Sequence, residues 1–261
     1  MKSPILLSLS LCACAALVPT GANAATTLYA EYHLGEPGSL GASNEPLDAV
    51  GSRNIDTTIN PSPVTIGGPG ARAGSSAFLD TSDPADSGYY HTSNFSDLPT
   101  DNFAIGVYAR AMALVGANQG TVFGTGDGGF DISLQANGWA GSIFNVAWVG
   151  EPGGVTGSFT PDTWTHLALV RADGISTFYI DGVAQDGTFD GAPVNSLPHV
   201  SVSPGGGSYF DGGIDEIRVV TFDSGEPISS VLGGLTAVPE PSSLTLILVG
   251  FMAALGRRKR P

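Results

Sequence analysis

Cysteine is nearly absent from this sequence. The 261-residue chain has two, Cys12 and Cys14, both inside an apolar N-terminal stretch. Once that stretch is removed, nothing is left to form a disulfide, a thiol nucleophile or a Cys-ligated zinc site. Basic side chains are almost as scarce. Between residues 25 and 238 there are only Arg53, Arg72, Arg110, Arg171 and Arg218 against 23 acidic residues, a balance of −18. Such a surface repels nucleic acid and other polyanions, and suits plain solubility or divalent cations. No Gly-x-Ser-x-Gly elbow is present. The histidines His33, His91, His166 and His199 are scattered, none at metal-ligand spacing, and His166 reads as a core or sheet histidine. The Gly-rich run from Gly124 to Gly129 has no Lys and no following helix, so it reads as a hairpin loop and not a phosphate cradle. No amphipathic helix longer than two turns, no internal repeat and no second globular domain is visible.

What the chain does have is 42% hydrophobic residues and 22 aromatic ones, enough for a packed core. Glycine and proline, 37 and 18, fall short of a low-complexity composition. Short β-rich runs recur with Gly/Asp turns between them: 26–34, 77–79, 88–91, 101–110, 120–123, 130–134, one or two within 139–149, an edge piece at 155–159, 200–202 and 214–222. This is the pattern of an antiparallel sandwich. The densest signal lies at 162–185. Two apolar runs, Trp164 to Arg171 and Ile175 to Ile180, flank the turn Ala172-Asp173-Gly174, and the second closes on Asp181-Gly182. They read as a central hairpin with both faces at least partly covered.

Those residues carry a resemblance. Asp162-Thr-Trp-Thr-His-Leu-Ala-Leu-Val-Arg, with Phe178-Tyr-Ile-Asp-Gly182 after it, resembles the central hairpin of laminin G-like, concanavalin A-like jelly rolls. Phe210-Asp-Gly-Gly-Ile-Asp-Glu-Ile-Arg-Val219 resembles their penultimate strand. The fold this implies is all-β, a two-sheet antiparallel jelly-roll sandwich over residues 25–235, with Trp164, Leu167, Leu169, Phe178, Ile180, Ile217 and Val219 in its core. The fold hosts lectins, adhesion modules and hydrolases alike.

The two ends are informative in a different way. Residues 1–24 read as a signal peptide, with Lys2, the apolar stretch Ile5 to Val18, and Ala22-Asn23-Ala24 as the cleavage site for signal peptidase. Lipoprotein processing at Cys14 is the alternative. At the other end, Val238-Pro239-Glu240-Pro241 precedes twelve mostly apolar residues, Leu244 to Leu255, and the chain finishes on Arg257, Arg258, Lys259, Arg260 and Pro261. As a helix the apolar run reaches about 18 Å, against ~30 Å of hydrocarbon, so it suits a temporary anchor better than a permanent one. The basic end stays in the cytoplasm by the positive-inside rule, leaving the domain outside. Over 236–261 this order closely resembles the PEP-CTERM sorting signal, the alternative being an ordinary tail anchor. The resemblance implies recognition by exosortase, a membrane-embedded cysteine protease, in Gram-negative bacteria that make extracellular polysaccharide. The expected protein passes transiently through the inner membrane and ends at the cell surface or in the extracellular matrix.

The resemblance also frames the chemistry. Hydrolases on this sandwich use Glu-x-Asp-x-x-Glu on one strand face. Here Gly212-Gly-Ile-Asp215-Glu216-Ile217 lacks the first Glu, and adjacent Asp215 and Glu216 are expected on opposite faces. No catalytic residue is therefore assigned, and a polysaccharide-active enzyme with an unrecognised carboxylate pair is the alternative. Related jelly rolls carry a structural Ca2+ that ties an early loop to the last strands. Asp215 and Asp48 are the matching ligands in this sequence. Trp139 and Trp148 are candidates for stacking on sugar rings, with core packing as the competing reading. The expected function is a non-catalytic surface or matrix protein that binds glycan or protein.

Overall fold

The computed structural model describes residues 26–236, apart from 43–44, 56, 60–64, 69, 82–87, 91–94, 114–119, 145–146, 149–157 and 203–208. The processing residues Ala22, Ala24, Pro239, Glu240 and Pro241, the Leu244–Leu255 span and the basic cluster Arg257 to Arg260 lie outside the described residues, as does most of the edge piece expected at 155–159. Among the described residues no helix is long and apolar enough to cross a membrane.

In chain order the strands are β1 (Thr27–Tyr32), β2 (Thr57–Ile59), β3 (Thr65–Gly67), β4 (Phe78–Asp80), β5 (Gly88–Tyr90), β6 (Phe103–Ala111), β7 (Gly120–Gly124) and β8 (Phe130–Gln135). Then come β9 (Gly138–Ile143), β10 (Ala147–Trp148), β11 (Thr165–Ala172), β12 (Ile175–Ile180), β13 (Val183–Phe189), β14 (His199–Val200) and β15 (Gly212–Thr221), followed by helix α1 (Ile228–Thr236). One sheet runs β13-β12-β11-β6-β15-β4-β3, with β1 also paired to β15, and the other runs β10-β9-β8-β7-β14-β5-β2. The strand pairings are antiparallel, so the expected two-sheet sandwich is what forms.

Alternation sets the two faces of the eight-stranded sheet. On β6, Phe103, Ile105, Val107, Ala109 and Ala111 face the other sheet; on β11, Leu167 and Leu169 do, and on β15, Ile217 and Val219. Phe178 and Ile180 join the same core. The hairpin turns are tighter than the sequence suggests. Ala172 pairs directly with Ile175, leaving a two-residue Asp173-Gly174 turn with φ 49° and 85°. Asp181-Gly182 repeats the geometry at φ 48° and 78°. Asp tolerates the left-handed region and Gly enters it freely, which suits a turn that matches strand twist.

The outer face of this sheet is covered in two ways. Ala104, Ala168, Val170, Val220 and Phe222 form a second core with Val231 and Leu235 of α1. Sequence reading missed this helix, although Ile228, Val231, Leu232 and Leu235 have its i, i+3, i+4, i+7 spacing. The Gly233-Gly234 pair, poor helix formers, obscured it. Docking depends on Gly106, where an added Cβ would lie 3.0 Å from Leu235 Cβ. Close by, Gly234 sits against Thr26, an added Cβ there reaching 3.2 Å from its hydroxyl oxygen. A second patch of the outer face meets the loop that carries Gly70, Arg72 and Ser75, through Trp164, Tyr108 and Asp215.

Trp164 belongs to this outer side and not to the core. It is half-buried, donates from Nε1 to the Gly70 carbonyl at 2.8 Å, and meets Phe78 edge-on at 5.3 Å. Its parity is that of His166 and Ala168, opposite to Leu167 and Leu169, which is why the expected core position fails.

Candidate functional site

The outer face of the eight-stranded sheet gathers most of the buried charge. Its organising feature is a β-bulge in β15. The register against β6 slips between Asp215 and Arg218, and Glu216 takes φ 48°. The bulge falls where β15 exchanges one neighbour for another, pairing with β4 at Gly213 and Ile214 and with β1 from Ile217 onward. An extra residue breaks the two-residue alternation. Asp215 and Glu216 therefore do not lie on opposite faces as expected, and both meet Arg72. Its Nε donates to Asp215 Oδ2 at 3.3 Å, and its Nη2 lies 3.8 Å from Glu216 Oε1.

β1 supplies the other half. Glu31 and the following His33 share the outer parity, and His33 stands between two carboxylates: Nδ1 donates to Glu216 Oε2 at 2.8 Å, and Nε2 faces Glu31 Oε2 at 3.4 Å. Arg218, opposite Glu31 in the strand register, pairs with its remaining oxygen and donates from Nη1 to the Gly234 carbonyl of α1 at 3.2 Å. Three cations thus face three carboxyl groups. Bonds to Glu216 and Glu31 push His33 up to about 10, so it is an imidazolium. Burial opposes ionisation of Glu31, but His33 and Arg218 hold its carboxyl below the usual range. Burial pushes Asp215 up to about 7, against the bond from Ser75 Oγ at 2.6 Å and the charge of Arg72.

Among the described residues, Glu31, His33 and Glu216 are a group whose ligand atoms all lie within 4.8 Å of one another. A metal ion there would have to displace the imidazolium proton beside two guanidiniums, and the network is already neutralised without it. The expected calcium ligands fare no better. Asp48 accepts from the amides of Glu31, Val50 and Arg53 at 3.1–3.2 Å, which spends its carboxylate on anchoring the early loop. Asp215 faces a guanidinium and a hydroxyl. This donor set does not fit a calcium ion: the early loop is held to β1 by Asp48, and β1 to β15 by strand pairing.

Beside the network an open cavity of about 350 Å³ lies between α1 and the β12–β13 turn. Tyr108 and His166 form its floor, Asp181 and Gly182 one wall, and Leu232, Gly233 and Thr236 the other. The imidazole of His166 is 4.7 Å from the Tyr108 ring, whose face Arg72 covers at 4.2 Å. Burial pushes His166 down to about 4, leaving it neutral, and its Nε2 has no hydrogen-bond partner. Asp181 Oδ1 accepts from the His166 amide at 2.9 Å.

Of the aromatic candidates, Trp139 is corrected. Every position of β9 is buried, and Trp139 is wedged against Phe159 and Phe210 at 5.7 and 6.1 Å, fully enclosed and out of reach of a sugar ring. The backbone of Trp148 lies in β10, but its side chain is outside the described residues. Sequence reasoning missed Glu31, Tyr108 and Asp181, and passed over His33 as unpaired. Glu31-x-His33 at strand spacing was the available signal, but its partner Glu216 is 183 residues away.

A profile described as the concanavalin A-like lectin/glucanases superfamily, of laminin G type, matches residues 84–222. A PEP-CTERM protein-sorting motif matches 237–260, which implies processing by an exosortase system and export with surface sorting in Gram-negative bacteria. No curated protein matches the chain. Domain 4 of AbnA, a GH43 extracellular arabinanase from Geobacillus stearothermophilus in complex with arabinotriose, is similar in structure. Its TM-score is 0.55 at 20% identity, over 81% of this chain and 99% of that one. Trypanosoma rangeli sialidase in complex with sialic acid is also similar, with a TM-score of 0.52 at 13% identity, over 80% of this chain but 32% of that one. At such identities the likeness is one of fold, and the fold serves glycosidases and non-enzymatic lectins alike. With its profile match extending over more than half of its length, the chain belongs to the laminin G-like family of the concanavalin A-like lectin/glucanases superfamily, and it carries a PEP-CTERM sorting motif at its C-terminus.

Proposed function

We propose that the chain is an exported, non-catalytic surface or matrix protein that binds polysaccharide through its sandwich. Signal peptidase removes residues 1–24, the short apolar span holds the precursor transiently in the inner membrane with Arg257 to Arg260 inside, and exosortase acts at Pro239-Glu240-Pro241. The observation that carries the reading is the joining of a lectin-type sandwich to a sorting motif in one chain. Domain 4 of the arabinanase, solved with arabinotriose, is the precedent for carbohydrate on this fold. The test is retention of the purified protein on polysaccharide from a producing bacterium and on a glycan array. Saturable binding to a defined glycan is expected; none on either support would remove the proposal.

Hydrolysis is the second reading. The bulge brings oxygens of Glu31 and Glu216 within 4.8 Å, near the ~5–5.5 Å separation of carboxyl groups in retaining glycosidases. Against it, both are nearly fully buried and held by His33 and arginines, so neither is placed to meet a glycosidic bond. A screen for reducing ends released from polysaccharides separates the readings, with no release expected.

A further inference from the structure

The cavity between α1 and the β12–β13 turn has a chemical character of its own. Its one charged lining residue is a carboxylate, Asp181. Asp181 commits one oxygen to the His166 amide, and no described residue bonds to the other. The last turn of α1 flanks the cavity and has no basic residue of its own; its carbonyls are taken up by Arg218 on Gly234 and by the Thr236 hydroxyl on Leu232 and Gly233, so the charge of the rim is that of Asp181. The nearby cations are spent elsewhere: Arg72 on Asp215 and Glu216, Arg218 on Glu31 and the Gly234 carbonyl. The floor is of a different kind. His166 is a neutral imidazole with a buried, unpaired Nε2, and Tyr108 brings a phenol whose ring face Arg72 already covers. A buried polar atom without a partner leaves a hydrogen bond to be gained. The volume is at the lower end of small-molecule sites, ~300–1,000 Å³, which suits one ring and not a chain.

We propose that this cavity binds a single amino-sugar residue of a polysaccharide, its ammonium group against the second oxygen of Asp181 and its hydroxyls on Tyr108 and His166. The assignment rests on the polysaccharide-binding reading and narrows it. Uronic acids and sulfated sugars are excluded by the same carboxylate and by the surrounding charge of −18. An N-acetylated sugar keeps the hydroxyl contacts but loses the charge-assisted bond.

The full chain, purified in mild detergent, is titrated by calorimetry with three probes: a β-linked glucosamine oligomer with free amines, its N-acetylated counterpart and an oligogalacturonate. The free amine should bind at least about tenfold more tightly than the acetylated form, the factor of one charge-assisted hydrogen bond. The uronate should not bind. Asp181→Asn should weaken the free-amine oligomer by about tenfold, since Asn tolerates the left-handed backbone there and can still accept from the His166 amide. Gly233→Leu should abolish binding, because an added Cβ there meets no atom within 4 Å and the side chain has the cavity to fill. Melting temperatures of both variants at or above that of the unmodified chain exclude misfolding as the cause. Equal binding of the acetylated and free-amine oligomers, or indifference to both substitutions, would overturn the cavity assignment while leaving polysaccharide binding in place. A lysine peptide binding as well as the oligomer would also overturn it. Silence from all three probes and from a glycan array would remove both.

Discussion

His33 is the residue on which the buried charge balance turns. It keeps its proton in the folded chain up to about pH 10, whereas its ordinary value is 6.5. Its contribution to stability is therefore complete below pH 6.5 and is lost as the pH rises to about 10. Asp215, raised from 3.8 to about 7, acts in the same direction over a lower window. Stability in urea should fall from mildly acid to alkaline pH, and His33→Gln should flatten the part above pH 6.5. At pH 6, His33→Ala should cost about 1–3 kcal/mol, less than a fully buried pair because part of the imidazole is exposed. A wild-type slope in the variant would exclude the imidazolium as its source. The two tryptophans offer a contrast. Trp139→Ala should cost ~3–5 kcal/mol as a large-to-small core change, whereas Trp164→Ala should cost roughly 1–2 kcal/mol, a surface contact and one hydrogen bond. Here the sequence was sufficient and the reading was not: counting parity from Leu167 and Leu169 puts Trp164 on the outer face.

Among the elements, β11 and β12 were legible because their apolar runs and Asp-Gly turns are local signals. The bulge at Glu216 was not, because nothing local marks it; its cause is the change from β4 to β1 as neighbour, a contact between distant parts of the chain. That one element hid the carboxylate cluster. Helix α1 lay between, its stripe present but interrupted by two glycines. Its hold on the sheet can be tested at Gly106. Gly106→Val would press on Leu235 and His166, where an added Cβ would lie 3.0 and 3.2 Å from their nearest atoms. The expected result is a loss of about 1–3 kcal/mol and faster amide exchange in 228–236, with the β11–β12 hairpin still protected. Uniform loosening of both elements would mean that α1 is not a separate unit.

For the molecule as a whole, cohesion rests on apolar burial and internal ion pairs. Chelator should therefore leave the melt unchanged, because Asp215 already faces the Arg72 guanidinium and Asp48 accepts three backbone amides. A lower melting temperature in EDTA, abolished in Asp215→Ala, would restore calcium. Maturation is read by intact mass. The surface or medium fraction of a strain with working exosortase should yield a species lacking Leu244–Pro261, and a tail-bearing form found only in the inner membrane would make the tail an ordinary anchor. The sorting motif was readable because its signal is compositional. The cavity beside α1 was not, because it is assembled from β6, β11, the β12–β13 turn and α1.

Thr26 and Gly234 touch, so the strand that opens the sandwich and the helix that closes it leave from one corner. The same proximity makes the domain nearly a closed ring. Joining Thr236 to Thr26 through a few glycines and reopening the chain between Asp173 and Gly174 should give a circular permutant that folds and melts cooperatively.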